Sequence, residues 1–325
     1  LRTEHKLSEG VKEKVALFCN ISPKAVIEAM DADTIYDVPL LMQEEELDKV
    51  VLDKLGLSYG EEPQLVAWKQ FLTKLKNPKQ TIKIGLVGKY TELQDAYKSI
   101  SEAIIHAGAH IETKVEVDWI HSEDINEKNA KQLLENLNGV LVAPGFGERG
   151  IEGKITAIKY ARENKIPFFG ICLGMQCAVI EFGRNVLGLT DAHSTEMYPE
   201  TPFPVIYLME SQKNISDKGG TMRLGAYSCN VKEKSNAFTA YNSDKIQERH
   251  RHRYEFNNKY LGEYEKQGMV ATGLNPENNL VEIVEITNHP WFVAVQFRPE
   301  YKSTVINPHP LFSAFIKAAA NHHNN

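Results

Sequence analysis

One cysteine in this sequence stands where it could act as a nucleophile. Pro167-Phe168-Phe169-Gly170-Ile171-Cys172-Leu173-Gly174-Met175-Gln176 reads as a short apolar strand ending in Gly-x-Cys-x-Gly, followed by a helical run from Met175 to Phe182. A glycine on each side lets the chain turn sharply from strand to helix and lifts the central side chain out of the sheet. The turn also sets Cys172 at a helix N-terminus, where the partial positive charge is expected to lower the thiol pKa. The amide of Leu173 is one of the unpaired donors of that helix end and can stabilise an oxyanion. A lone cysteine is more often buried and inert. The paired glycines after a strand favour the nucleophile here.

A second stretch could complete the chemistry. Pro144-Gly145-Phe146-Gly147-Glu148-Arg149-Gly150 follows an apolar strand and is rich in glycine. A plain strand-to-helix turn would look the same. With a nucleophile present, the Gly145 amide is expected to face Cys172 as a second oxyanion donor, since no Cβ blocks a close substrate. Gln296-Phe297-Arg298-Pro299-Glu300 ends another strand near the C-terminus.

The elements that must position these residues are legible from residue 82 on. Strands are expected at Ile82 to Gly88, Val115 to Ile120, Gly139 to Ala143 and Pro167 to Ile171. Helices are expected at Asp95 to Ala107, Ala130 to Asn136 and Gly153 to Glu163. Such alternation implies an α/β fold, a doubly wound and mostly parallel sheet covered on both faces. Sites in such sheets lie at the carboxyl ends of the strands, where Cys172 and Pro144 to Gly150 fall. After Asp191 the pattern is less regular, with strands expected at Pro204 to Met209, Leu280 to Ile286 and Phe292 to Phe297, and a closing helix at Phe312 to Ala320. Upstream, the spacing predicts helices at Val11 to Phe18, Lys24 to Met30 and Pro39 to Leu55, with an extended piece at Thr34 to Val38. Ser58 to Thr81 reads as a connector with a helix from Gln64 to Lys76.

Composition excludes several classes. The 325 residues are 42% apolar and 25% charged, as in ordinary globular proteins, and the length fits about two units. A net charge of −6 gives no global pull toward nucleic acid or an anionic membrane. No apolar run approaches the ~20 residues of a membrane helix. The four cysteines show no CxxC spacing, so a reducing cytoplasm is expected. The chain begins without Met in the middle of a pattern, as a piece of a longer protein would.

With these residues in view, the chain resembles the class I glutamine amidotransferases, in which a Gly-x-Cys-x-Gly elbow is paired with a late His-Pro-Glu. Among them it resembles the C-terminal part of the CTP synthase family. The resemblance is carried by Ala16-Leu17-Phe18-Cys19-Asn20, Val87-Gly88-Lys89-Tyr90, Asp95-Ala96-Tyr97-Lys98-Ser99, Gly170 to Gln176 and Ser194-Thr195-Glu196. Gly219 to Gly225 and Glu248-Arg249-His250-Arg251-His252-Arg253-Tyr254-Glu255 are its distinctive parts. It implies a remnant of an amidoligase (synthetase) domain at 1–57, a linker at 58–81 and a glutaminase domain at 82–325.

The resemblance also implies roles. Cys172 forms a thioester with glutamine and releases ammonia, which travels to the synthetase domain for amination of UTP to CTP. Gly145, Leu173, Gly174, Met175 and Gln176 hold the substrate, and Glu196 and Arg253 bind its amino-acid end. Glu300 orients the third triad member. Arg149 belongs to a lid that responds to GTP, the family's activator. Lys14 and Asp31 fall on the nucleotide side of the synthetase domain. The family uses ATP and Mg2+ and forms tetramers, chiefly through that domain. No metal or cofactor is expected within this chain itself.

The sequence departs from the family in places. Arg298 stands where the triad histidine is expected, and guanidinium neither accepts nor gives a proton near neutral pH. Arg298 can still favour the thiolate by its charge, or pair with Glu300. His193 replaces the usual Asn before Ser194-Thr195-Glu196, and His289 belongs to a separate Asn-His-Pro stretch. Ala143-Pro144 replaces the commoner Pro-Gly pair before Gly145. No Gly-x-x-x-x-Gly-Lys-Ser/Thr loop occurs in these residues. Three readings follow: a CTP synthase glutaminase region with a damaged triad, another class I amidotransferase or γ-glutamyl hydrolase, and a non-catalytic module that binds glutamine. Arg249 to Arg253 alone would fit a solvated basic run or an RNA patch.

Overall fold

The computed structural model describes residues 1–61, 63–208 and 222–323. It divides into two compact units, Leu1–Thr73 and Lys74–Asn325. In the first, the helical spacing after Val11 forms α1 (Glu9–Cys19), closed by Asn20 at φ 52°. Three expectations are corrected here. The helix expected from Lys24 to Met30 is a short 3-10 turn at Pro23–Ala25. Beyond it, β1 (Arg2–Thr3) pairs in parallel with β2 (Ala29–Met30). Branched Val26 and Ile27 give up little helix propensity, and the ladder satisfies backbone groups that a helix would otherwise pair. The piece expected to be extended from Thr34 to Val38 is a turn, with the Asp37 amide donating to the Thr34 carbonyl at 3.0 Å. The helix expected from Pro39 to Leu55 is broken into α2 (Val38–Glu44) and α3 (Leu47–Leu55) by Glu46 at φ 54°. Carboxylates sit badly at a helix C-terminus, and Glu45 instead reaches Lys12 (3.5 Å) and accepts from the Glu28 amide (3.2 Å). The last helix of this region is α4 (Val66–Lys76).

The second unit carries the alternation read from the sequence. Its first half runs β3 (Gln80–Gly88), α5 (Lys98–His110), β4 (Thr113–His121), α6 (Ala130–Leu134), β5 (Gly139–Val142), α7 (Ile151–Glu163), β6 (Phe168–Ile171) and α8 (Leu173–Asn185). Its second half supplies β7 (Ala192–Ser194), β8 (Phe203–Leu208), β9 (Arg223–Val231), β10 (Lys245–His252), β11 (Tyr254–Phe256), β12 (Met269–Leu274), β13 (Val281–Ile286) and β14 (Phe292–Val295). The main sheet has nine strands in the order β10-β9-β12-β13-β14-β6-β5-β3-β4. From β14 to β4 all pairs are parallel, and from β10 to β14 all are antiparallel. β11, β8 and β7 form a small separate sheet. The architecture is mixed α/β around a large, mostly parallel-centred sheet.

The period of two along the central strands divides the core. Val140, Val142 and Phe168 pack with α7 and α8 on one face. Leu141, Phe169 and Ile171 pack with α5 and the C-terminal helix Pro310–His323 on the other. Each such side chain contributes ~1.5–3 kcal/mol by leaving water, and together they hold the strand ends that carry the glycine-rich turns. The strands β7, β9, β10, β11 and β12 were not legible in the sequence. In β10 the inward residues are Glu248, His250 and His252 and the outward ones Arg249 and Arg251, so both faces are polar and no apolar alternation exists. Met209 and the Gly219-Gly220-Thr221 part of the expected motif lie outside the described residues.

Close packing of α7 depends on Gly153. A Cβ there would stand 1.7 Å from the Ser122 carbonyl oxygen. Alanine normally gains ~1 kcal/mol over glycine inside a helix. Gly153→Ala is expected to lose stability instead, by ~2 kcal/mol or more, because backbone must move. Urea unfolding measures this, and an unchanged midpoint would contradict it.

Candidate active site

The turn between β6 and α8 puts Cys172 at φ 54° and ψ −104°, a conformation that a non-glycine residue adopts only under constraint. Its amide donates to the Val295 carbonyl at 2.7 Å, and its carbonyl accepts from Gln176 at 3.2 Å. The flanking glycines are required by space. A Cβ on Gly174 would stand 2.3 Å from the Val142 carbonyl oxygen, and one on Gly170 would stand 3.0 Å from Ala294. The sharp elbow read from the sequence is therefore present.

A cavity of about 580 Å³ opens at this end of the sheet, and Cys172, Gly145, Gln176, Glu196, Arg253 and Arg298 all line it. Gln176 donates to the Tyr254 carbonyl at 3.0 Å. Glu196 accepts from the Gly147 amide at 3.0 Å, which ties the carboxylate to the glycine-rich loop. Leu173 and Met175 are buried in the core under the elbow, and Gly174 packs against β5, so only the Leu173 backbone acts toward the thiol. Glu300 is buried behind Arg298 and accepts from its Nε at 2.5 Å. Arg149 lies off the cavity wall, paired with Glu123 at 3.1 Å and placed over the Tyr90 ring at 5.6 Å. Lys14 and Asp31 belong to the first compact unit, where Asp31 pairs with Arg2 at 3.1 Å.

The expected lowering of the Cys172 pKa is overturned. Burial pushes the thiol up to about 11, against the Arg298 charge and the Leu173 amide, while Glu300 and Glu196 push it further the same way. Burial also opposes the Arg298 charge, but Glu300 and Cys172 outweigh it and its pKa lies above the usual guanidinium value. Among the described residues no imidazole is within hydrogen-bond distance of the sulfur. Among the described residues the side chain that reaches the sulfur is that of Gln296, whose Nε2 donates to it at 3.8 Å. His193 accepts from the Ser194 amide at 2.9 Å, and His289 is buried with Nε2 3.3 Å from the Ala161 carbonyl.

Sequence reasoning missed three residues that hold the site. Gln296 is fully buried between Gln176 and the sulfur, and its position two residues before Arg298, on the same side of an extended chain, was the available signal. Lys89, already part of a quoted motif, donates to the Phe146 and Gly147 carbonyls and so pins the loop after Gly145. Lys154 is fully buried and donates to the Ala143 carbonyl at 2.9 Å, with burial pushing its pKa down to about 8.

Below the cavity floor the inward residues of β10 join a buried ring. Arg223 bonds Glu255 (3.2 Å) and Glu282 (2.8 Å). His250 Nδ1 and His252 Nε2 are 2.8 Å apart. His250 Nε2 faces Glu282 at 3.6 Å, and His252 Nδ1 faces Glu255 at 3.5 Å. Burial keeps both imidazoles neutral, pushing His252 down to about 3, and pushes Glu255 up to about 8 and Glu282 in the same direction. Two neutral imidazoles that share one hydrogen bond have one acceptor nitrogen left between them. That nitrogen faces a carboxyl group at 3.5–3.6 Å, beyond a good hydrogen bond. Two carboxyl groups, both pushed up by burial, thus share the one guanidinium of Arg223. No group of three or more His, Cys, Asp or Glu residues suited to a metal ion occurs among the described residues.

Comparison with known proteins agrees with this geometry. The class I glutamine amidotransferase pattern matches residues 92–318, and the chain belongs to that family. A CTP synthase N-terminus pattern matches residues 1–57. The chain is similar to the CTP synthases of Cytophaga hutchinsonii (64% identity) and Flavobacterium johnsoniae (62%), over 98% and 99% of its own length. It spans only 59% and 60% of the length of these relatives. Among solved structures it is similar to the glutaminase domain of Trypanosoma brucei CTPS with bound acivicin, at 35% identity and a TM-score of 0.70, covering 74% of this chain and 94% of that one. No helix among the described residues is long and apolar enough to cross a membrane.

Two outcomes are expected from this geometry. Alkylation of Cys172 by iodoacetamide should rise about tenfold per pH unit from about pH 7 to 10, as the minority thiolate grows, and Arg298→Gln should slow it at fixed pH. A plateau below about pH 9 in the mass-spectrometric rate profile would contradict this. In the buried ring, Glu255→Gln and Glu282→Gln should each cost under ~1 kcal/mol. The double variant should cost ~3–5 kcal/mol because Arg223 loses its counter-charge. Denaturant unfolding of the four proteins measures it, and additive costs would argue against the shared counter-charge.

Proposed function

We propose that the cavity binds glutamine and that Cys172 attacks its side-chain carboxamide, as the glutaminase part of a CTP synthase. The observation that carries this is the strained Cys172 elbow opening into one cavity with Gly145, Glu196 and Arg253. Glu196 offers an anion for the α-ammonium of the amino acid and Arg253 a cation for its α-carboxylate. Attack by sulfur turns the carboxamide oxygen into an oxyanion, for which the Leu173 and Gly145 amides are the donors. Collapse expels ammonia and leaves a thioester, and water then frees glutamate, so the balance is glutamine plus water to ammonia plus glutamate.

Departing ammonia must be given a proton, and the attacking water must have one taken away. A histidine at position 298 would carry both. Arg298 holds its protons too tightly to carry either. It lowers the cost of the thiolate without completing the turnover, so the half-reaction is slow in this chain. The subsequent ATP- and Mg2+-dependent amination of UTP, with GTP as activator acting near Arg149, is the activity we assign to the whole protein of which this sequence forms part. Lys14 and Asp31 belong to the nucleotide side of that reaction. The same observation, Arg298, favours a second reading in which the cavity binds its amino acid without turning it over.

Arg298→His is expected to raise glutamate release from glutamine by roughly 10³-fold, the scale on which a triad member acts. Coupled detection of glutamate measures it, and equal rates in the two proteins would refute the role given to Arg298. Acivicin is expected to label Cys172 in both proteins, with glutamine slowing the reaction. Absence of labelling in either would refute the nucleophile.

A further inference from the structure

We infer that this cavity prefers L-glutamate to L-glutamine, because Arg298 presents an unpaired guanidinium edge to the terminal group of the bound amino acid. The inference rests on the reading above, in which Glu196 and Arg253 take the amino-acid end. Arg298 uses its Nε for Glu300, and its guanidinium lies 4.8 Å from the Tyr301 ring centroid, which fixes the plane. Neither Nη atom has a hydrogen-bond partner among the described residues, and neither is sealed from the cavity. Guanidinium donates only, so the groups it meets must accept.

A carboxylate offers two charged oxygens to the Nη pair and matches its fork. A carboxamide offers one neutral oxygen and sets its own NH₂ donors against those of Arg298. Charge on the walls points the same way. Among the described lining residues the cations are Arg251, Arg253 and Arg298, against Glu196 alone. Glu196 and Arg253 match the two charges of the α-end, and Glu300 meets Arg298 only at Nε, so a second carboxylate is the group that answers the open Nη pair. The buried thiol is neutral at ordinary pH and offers that carboxylate no repulsion. An imidazole at position 298 would supply no such fork.

Isothermal titration of the chain, of Arg298→His and of Arg298→Gln with L-glutamate and L-glutamine tests this. Glutamate is expected to bind the unaltered chain at least about tenfold more tightly than glutamine, or ~1.4 kcal/mol. Both variants are expected to lose that preference. Equal or tighter binding of glutamine by the unaltered chain overturns the inference, as does a glutamate preference that survives in the variants. If a variant fails to fold, the comparison on the unaltered chain still decides. Protection of Cys172 from acivicin separates this inference from the function it rests on. Protection by glutamine without a glutamate preference overturns the inference alone, and no protection by either amino acid overturns both.

Discussion

The site depends on one backbone constraint, the left-handed Cys172 between a buried strand and a buried helix. Its amide is held by Val295 on β14, and Gly174 lies so close to the Val142 carbonyl that no side chain fits between them. Strands β5, β6 and β14 are neighbours in the sheet, so the turn is clamped from both sides. The strain is sustained by packing on two faces of the sheet. The sulfur thereby stands at the open end of the strands with the helix amides beneath it.

Burial gives that arrangement its electrostatic character. The same packing that fixes the turn takes the thiol out of water, and this outweighs the helix terminus and the Arg298 charge together. A helix N-terminus lowers a thiol pKa where solvent still reaches the sulfur. Here the two effects oppose, and desolvation wins. Arg298 and Glu300 show the same competition with different winners: the partners prevail at Arg298, while burial prevails over Arg298 at Glu300 and raises its pKa. Lys154 is a third case, a fully buried ammonium with one carbonyl partner beside the glycine-rich loop.

What the sequence disclosed follows the chemistry of each element. Apolar runs bounded by glycine, as at Gly139 to Ala143 and Phe168 to Ile171, announced the parallel centre, because strands buried on both faces leave an unbroken apolar signature. The Cys172 elbow was legible because space demands glycine at Gly174, and the Gly145 loop because Gly147 and Gly150 take positive φ. The antiparallel flank was not legible. Its strand β10 faces inward with Glu248, His250 and His252, whose neighbours include Glu282 and His309 from distant stretches of the sequence. The thiol pKa does not follow from the helix terminus alone because burial is a tertiary property, and Gln296 acquires its role only when the fold brings it to the sulfur. In the first unit, the break at Glu46 was hidden because Lys12 and Glu28 draw Glu45 away from the helix pattern.

The polarity of β10 has one more effect. Among the described residues, it and β4 are the outermost strands of the nine and have no further strand beside them, although the Arg298 amide donates to the Arg249 carbonyl. Arg249 and Arg251 stand on one of these margins, and Lys114, Glu116 and Asp118 on the other. Another chain that tried to extend the sheet would have to bury those charges. The arginine-rich run that shapes the cavity wall thus also guards the protein against unwanted stacking with its own kind.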